Sequence, residues 1–553
     1  MRSGDVSLRR FVRAMLAAAL LAATMLALAG CGSIFSSGES GGGGSSSGET
    51  LNTLIENDIA DINPTTSTDV ASFGVITNVM EGLYRLDENS EPEPGMAEDV
   101  QVSGDGRNYT FTLRDDIEWS NGDPVTSQDF EYAWLRAMDP DTAADYSYIL
   151  TDFIEGGAEY NSGEGSAEEV GIRTPDDKTL EVTLSNPTPF FLNLTAFPTY
   201  MPLNQDFVEE QGEEFASSPD TLLYNGPFEM TEFGSSQGVT LQKREGYWDA
   251  GNVDAETVNG QVVKDKSTAL NLYESGELDV TILNSEQVEA YEGEAAFEQR
   301  TEFATLFLYL NNDDPAMSNE NIRKAVQLGF DRESFVNTVL NDGSEPAYGY
   351  VPPGMSSGSG GETFREAVGD TVPEASPEEA RSYWQRGVEE LGEEPTLTLL
   401  VSDESTSRDT GTFLQSQLQE NLGAEVEVEV VPFDALLDRE EEGDYQMAAS
   451  QWIADYDDPI NFLDLWTSDS GVNDINFENE EYDRLVNGAL TEENEQRRTE
   501  MLAEAERVLV GEEAALAPVY YAGTSYLINP DVQNYVTPPY GPPADYRYVE
   551  IER

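Results

Sequence analysis

Residues 451–462, QWIADYDDPINF, set three acids, Asp455, Asp457 and Asp458, among Trp452, Ile453, Tyr456, Ile460 and Phe462. A carboxylate held among aromatic and aliphatic groups loses hydration, so it ionises at a cost unless a cation meets it. The chemistry such an acid offers is capture of a positively charged group. Most of the other acids, in a chain with 107 Asp plus Glu, are read as solvated surface.

Other motifs carry less. The pattern GxSxG occurs at Gly44–Gly48, Gly234–Gly238 and Gly354–Gly358, each time in Gly/Ser-rich sequence. The chain has no histidine, so no Ser-His arrangement can be completed, and histidine metal ligands and general bases are excluded. Asp115-Asp116 and Asn311-Asn312-Asp313-Asp314 could offer calcium ligands, but neither follows the twelve-residue EF-hand spacing. No cofactor is expected. Trp119, Trp134, Trp248, Trp452 and Trp466 stand beside polar or turn residues, as walls of a cleft would.

The elements that must hold these groups alternate between strand and helix, which implies an α/β fold. YTFTLR (Tyr109–Arg114), TLEVTL (Thr179–Leu184) and EVEVEV (Glu425–Val430) alternate as half-buried strands do. Thr412–Leu422, ended by Gly423, reads as a helix. So do Asn321–Phe330, with Ile322, Ala325, Val326 and Leu328 on one face, and Arg498–Leu509. Residues 356–379 read as an exposed loop, and VTPPYGPPADY, residues 536–546, as a proline-rich terminal loop.

At 553 residues, 39% of them hydrophobic, the chain can build several cores. A net charge of −78 with five lysines makes nucleic acid and anionic membrane surfaces poor partners. Such a surface suits a salty medium that screens its self-repulsion. Arg2, Arg9, Arg10 and Arg13 precede an apolar run from Ala14 to Ala29, short for a span of about 20 residues, so residues 1–30 read as a secretory leader. The run ends in Leu28-Ala29-Gly30-Cys31, which resembles the bacterial lipobox and implies lipidation of Cys31, the only cysteine, with cleavage before it. The Gly/Ser-rich residues 31–50 then form a tether reaching roughly 25 Å. The body is expected outside the cytoplasmic membrane, anchored to it, on the periplasmic side where an outer membrane exists.

A longer resemblance runs through the body. DGRNYTFTLRDDIEWSNGDPVTSQDFEYAWLR (Asp105–Arg136) is the strongest segment. It is joined by Asn225-Gly226-Pro227-Phe228, Tyr247-Trp248-Asp249, LYESGELDVT (272–281), AYGYVPPGM (347–355) and EAALAPVYY (513–521). Together these resemble the oligopeptide-binding lipoproteins of ABC importers, the family-5 extracellular solute-binding proteins. The resemblance implies a class II-type periplasmic binding protein of two lobes with an extra inserted domain and a ligand cleft between the lobes. One lobe would take residues 51–80, 204–302 and 521–553, the inserted domain 81–203, and the opposing lobe 303–520. It implies a monomer that binds oligopeptides, hands them to the permease subunits of an ABC importer, and is not an enzyme.

In peptide-binding members the stretch resembling Trp452–Tyr456 supplies the acid that meets the peptide α-ammonium. Carried over, that acid is Asp455. Val70, with Asp69 and Ala71, resembles one backbone partner of the peptide and Ile453 the other. Tyr146, Phe307, Tyr309, Phe433 and Trp452 resemble wall positions. The chain departs from some enterobacterial members, having Ala449 where they carry an arginine and Ser407 near the position of a histidine. Arg408, next door, is the candidate for a peptide carboxylate. The family also holds nickel, haem and oligosaccharide binders. Lack of histidine argues against the first two and leaves an oligosaccharide as the alternative ligand.

Overall fold

The computed structural model describes residues 50–357, 362–492 and 494–553. The leader, Cys31 and the tether through residue 49 lie outside the described residues. Three larger sheets carry the rest. In the first, Thr50–Ile55 pairs in parallel with Thr257–Val262, followed by antiparallel Gly238–Lys243 and Phe228–Gly234. The second is antiparallel: Ala97–Val102, Asn108–Leu113, Thr179–Thr183 and Ile172–Asp176. Tyr109, Phe111 and Leu113 point into the core while their neighbours face outward, the period-two pattern that YTFTLR predicts.

The third sheet has seven strands. Its order runs Val280–Ile282, Leu516–Ile528, Phe297–Leu310, Met447–Ile453, Leu397–Ser402 and Val426–Val431, with Glu345–Pro346 on the Leu516–Ile528 strand. The last three strands of that order are mutually parallel where they pair, joined by helices such as Ser405–Leu422. That helix starts seven residues before the expected Thr412 and ends as expected, with Gly423 at φ 81°, where a side chain would be strained. The Glu320–Leu328 helix is capped by Asn319 and buries Ile322, Ala325, Val326 and Leu328. Glu495–Glu506 forms the expected late helix.

Two continuous strands, Phe297–Leu310 and Leu516–Ile528, contain the expected lobe boundaries at 302/303 and 520/521. Their pairing loses register between Thr301 and Thr305.

The exposed loop expected over residues 356–379 is corrected by the structure. A short helix, Phe364–Val368, interrupts it, and Phe364 and Val372 are buried. Arg365 ion-pairs with the fully buried Glu506, whose carboxylate also accepts the backbone N–H of Tyr350 and Val351, each at 2.8 Å. A charge there would be costly unpaired, so this arginine pins the segment inward. The prolines of residues 536–546 did signal a loop, but its ends pair at Val536 and Asp545, Tyr546 opens a short 3-10 helix, and Tyr540, Ala544 and Tyr546 are buried.

Candidate functional site

The Met447–Ile453 strand pairs along one edge with Phe297–Leu310, Met447 opposite Leu310 through Ile453 opposite Ala304. On its other edge Leu397–Ser402 pairs only at Met447 and Ala448. From Ala449 to Ile453 that second edge has no strand partner among the described residues, and its N–H and C=O groups are a template for an extended chain. The strand ends at Ile453, and the chain then bends through Asp455–Pro459 into the short helix Ile460–Leu463.

Asn461, on that helix, holds the bend. Its side-chain oxygen accepts the Asp455 backbone N–H at 3.0 Å and the Trp452 indole N–H at 3.2 Å. The Tyr148 hydroxyl donates to Asp455 Oδ2 at 2.9 Å. Among the described residues no lysine or arginine pairs with this carboxylate. Burial pushes its pKa up to about 6, while hydrogen bonds from Tyr148, Asn461 and Tyr146 hold it from rising further. The result is a half-buried acid, raised by partial desolvation, with polar neighbours and no lysine or arginine counter-charge among the described residues.

The neighbouring acids are arranged otherwise. Asp458 is buried and bound by both terminal nitrogens of Arg498, at 2.7 and 2.8 Å, and it accepts the Ile460 backbone N–H at 2.9 Å. Asp457 accepts the Ser356 backbone N–H at 2.8 Å, and burial pushes it up to about 7. Asp464 is pushed up to about 8 by burial and by the nearby charges of Asp152, Asp458 and Asp455. Among the described residues no three acid or cysteine side chains gather as a metal site would need.

An aromatic chain runs from Asp455 to the Val70–Val79 helix. Tyr146 lies 5.4 Å from Tyr148, stacks on Phe197 at 5.4 Å and meets Phe73 edge-on at 5.4 Å. Asp69 caps that helix through the Ser72 N–H at 2.9 Å, so its side chain has a structural task and only its backbone is left for a ligand. The N–H groups of Val70 and Ala71, in the first turn, have no partner within the helix. Val70 is 44% exposed and Ile453 43%, high values for such residues. Both line one cavity of about 210 Å³, with Ala71, Tyr526 and Tyr535. Asp455 lines a smaller space of about 30 Å³ with Asn193, Phe197 and Tyr540.

The structure therefore brings Asp455, Tyr146, Trp452, Ile453, Asp69 and Val70 together. It does not bring every expected wall residue to a surface. Phe307 is 1% exposed and packs edge-on against Tyr350 and Trp466, and Tyr309 is buried against the same tryptophan. Both are core residues because they sit in the middle of the sheet with rings on every side. Trp119, Trp134 and Trp466 are also buried, though off the sheets: Trp119 lies in a turn, Trp134 on the helix Ser127–Met138 and Trp466 on the short helix Asp464–Trp466. Trp248 lies under the guanidinium groups of Arg85 and Arg114. Phe433 is 50% exposed at the first turn of Phe433–Glu441 and lines neither cavity. Arg408 is exposed near the start of Ser405–Leu422. It is the one lysine or arginine among the described residues whose side chain has no hydrogen bond, ion pair or ring contact.

Sequence reasoning missed Tyr148, Asn461 and the turn Pro538–Pro543. The turn shares both cavities and is fixed by Phe303 N–H to Pro539 O at 2.7 Å, Tyr540 stacked on Phe303 at 5.6 Å, and the Tyr540 hydroxyl on Ser90 O at 3.0 Å. The PPYGPP run was the available signal, because a rigid turn carrying one aromatic is suited to a wall.

Known proteins share this architecture. Residues 91–474 match the model of bacterial extracellular solute-binding proteins, family 5. The chain is 33% identical over 530 residues to the oligopeptide-binding protein OppA of Bacillus subtilis, covering 94% of this chain and 96% of that protein. It is 35% identical over 488 residues to the dipeptide-binding protein DppE of the same organism, covering 88% and 89%. The solved structure of Listeria monocytogenes OppA bound to peptide superposes with a TM-score of 0.79 at 36% identity, covering 92% of this chain and all of that one. With a family match over most of its length and relatives alike end to end, the chain belongs to the family-5 bacterial extracellular solute-binding proteins.

Proposed function

We propose that this protein is an extracytoplasmic receptor that captures oligopeptides between two lobes and delivers them to the permease of an ABC importer, and that Asp455 receives the peptide α-ammonium. The observation that carries this reading is a partly desolvated carboxylate with no lysine or arginine counter-charge among the described residues, two residues beyond the open-edged end of a strand. The names of the relatives, oligopeptide- and dipeptide-binding proteins, and the peptide-bound neighbour support it.

In this reading the peptide extends between Ile453 and the first turn of the Val70–Val79 helix, pairing its backbone with both, while Tyr146 and Trp452 form walls. Backbone pairing is indifferent to sequence, so side chains set preferences only through the pockets they enter. Arg408 receives the peptide carboxylate, and Phe433 offers an exposed apolar face to the ligand. Residues 51–80, 204–302 and 521–553 act as one lobe with 81–203 packed on it, and 303–520 closes against them. The register break at Thr301–Thr305 is the hinge, because a broken ladder bends at lower cost than an intact one. Lipid on Cys31 keeps the monomer beside its permease, and no covalent bond is made or broken. An oligosaccharide supplies no cation to Asp455 and is the weaker reading.

Calorimetry with a free tripeptide and its N-acetylated form tests this. The free peptide is expected to bind more tightly by about 2–5 kcal/mol, the usual cost of leaving a buried charge unpaired. Equal affinities would remove Asp455 from the role. Native mass spectrometry of the freshly purified protein should show co-purified peptide masses, and a carbohydrate mass would overturn the ligand class.

A further inference from the structure

The cavity flanked by Val70 and Ile453 has apolar walls and one charged end. Leu54, Leu241, Ile282 and Tyr526 make the walls, and Glu302 stands among them. Glu302 lies inside the register break of its strand. Its Oε1 accepts the Thr524 hydroxyl at 2.6 Å, and no lysine or arginine pairs with it among the described residues. The other charges on the wall are balanced. Glu56 pairs with Lys266 at 3.5 Å, and Arg300 pairs with Glu298 at 2.6 Å while donating to Tyr535 O and Thr537 Oγ1.

We propose that this cavity selects a lysine- or arginine-type side chain of the bound peptide, with the aliphatic stem along Leu54, Leu241 and Ile282 and the cation on Glu302. The proposal rests on the peptide reading given above. Its physical basis is the fit between an amphipathic side chain and an amphipathic pocket. A long basic side chain buries its methylenes on apolar surface only if its head finds a partner. An apolar side chain of the same length leaves Glu302 desolvated and alone, and an acidic one adds repulsion. Burial already holds the Glu302 carboxyl above the usual range, with Glu56 and Asp342 adding to the rise and Thr524 and Lys266 opposing it. The selectivity should therefore fade as the medium is acidified.

The test uses the lipid-free secreted chain and tripeptides of alanine carrying one lysine, or one norleucine as its uncharged isostere, at each position. Measuring in 1 M KCl, where the Debye length is about 3 Å, removes the general pull of the acidic surface on any cation. At one position lysine is expected to bind about tenfold or more tightly than norleucine, the scale of a hydrogen bond to a charged group. Glu302→Gln should bring that ratio close to one without lowering the unfolding temperature, and Glu56→Gln, whose partner is Lys266, should change it much less. Equal affinity for lysine and norleucine at every position, with the trialanine peptide still bound, would overturn the pocket assignment and leave the peptide reading standing. A ratio that survives Glu302→Gln, or falls equally in Glu56→Gln, would overturn it too. Failure of every tripeptide to bind would take both down together.

Discussion

Two acids three residues apart on one bend have opposite surroundings. Asp458 is closed in with Arg498, which grips both carboxylate oxygens. Asp455 is half-buried, yet among the described residues it has only hydroxyl and amide partners. A buried acid whose cation is built into the chain holds structure. One whose cation is missing lowers the stability of the empty protein and gains when a cation arrives. On the proposed reading the difference separates a strut from a receptor site inside twelve residues of sequence.

The comparison breaks most forcefully at the strut. Arg498→Ala leaves the buried Asp458 without its counter-charge and also removes the Arg498 Nε bond to Ala489 O, so a loss of about 3–5 kcal/mol of stability is expected. Denaturant unfolding measures it. Adding Asp458→Asn in an Arg498→Met background should recover much of the loss. An uncharged pair no longer strands a charge, while the carboxamide oxygen introduced at that position still accepts the Ile460 N–H. If both variants unfold alike, Asp458 is not the strut described.

At the proposed receptor site the same kind of change should act in the other direction on stability. Asp455→Asn is expected to weaken a free tripeptide by about 2–3 kcal/mol, as charged partners at interfaces do, and to leave the empty protein equally stable or more so. Calorimetry and thermal unfolding of the same preparation read both. Wild-type affinity in this variant would return Asp455 to the ordinary acids of the surface.

How much of this was legible before the structure follows from the same contrast. An acid among aromatics signals desolvation, so the odd character of residues 451–462 could be read directly. The partner that makes Asp458 structural lies 40 positions away, and no local pattern reports a contact at that separation. Strands such as Asn108–Leu113 and helices such as Glu320–Leu328 were legible because one face is buried and the other wet. Phe307 and Tyr309 were misplaced as walls because alternation says that a side chain points inward without saying whether core or cleft lies there. Tyr148 reaches Asp455 from 307 positions away, and Arg365 reaches Glu506 across 141. These are properties of the packing of distant segments, to which periodicity is blind.

Acid titration sharpens the comparison with a smaller effect. The Asp455 carboxyl titrates near pH 6 in the empty protein, above its unfolded value of 3.8. Between those values the folded protein holds the extra proton, so the group's contribution to stability falls as pH rises through the window, and the full penalty stands above it. A bound ammonium favours the ionised form. Affinity for free peptides is therefore expected to be highest above pH 6 and to fall by up to about tenfold per unit below it, with a proton released on binding. The titratable groups whose charges reach Asp455, namely Tyr146, Tyr148, Tyr456 and Asp464, are shared by wild type and Asp455→Asn, so the difference between their pH profiles isolates Asp455. Matching profiles would show that another acid carries the dependence.

The smallest effect is expected from Arg408, whose exposed side chain has no partner among the described residues. An ion pair formed in water gains little, about 0–1 kcal/mol, because the solvent screens it and two flexible chains must be held in place. Arg408→Gln should then weaken peptides with a free carboxylate by about fivefold at most and leave C-terminally amidated peptides untouched. Salt should abolish the small difference, whereas the Asp455 contribution, made inside the closed cleft of the proposed receptor, should persist in 1 M KCl. Equal loss for free and amidated peptides would move Arg408 out of the ligand's reach. A loss as large as that of Asp455→Asn would mean that lobe closure buries this end as deeply as the other, so that both termini are read by desolvated charges.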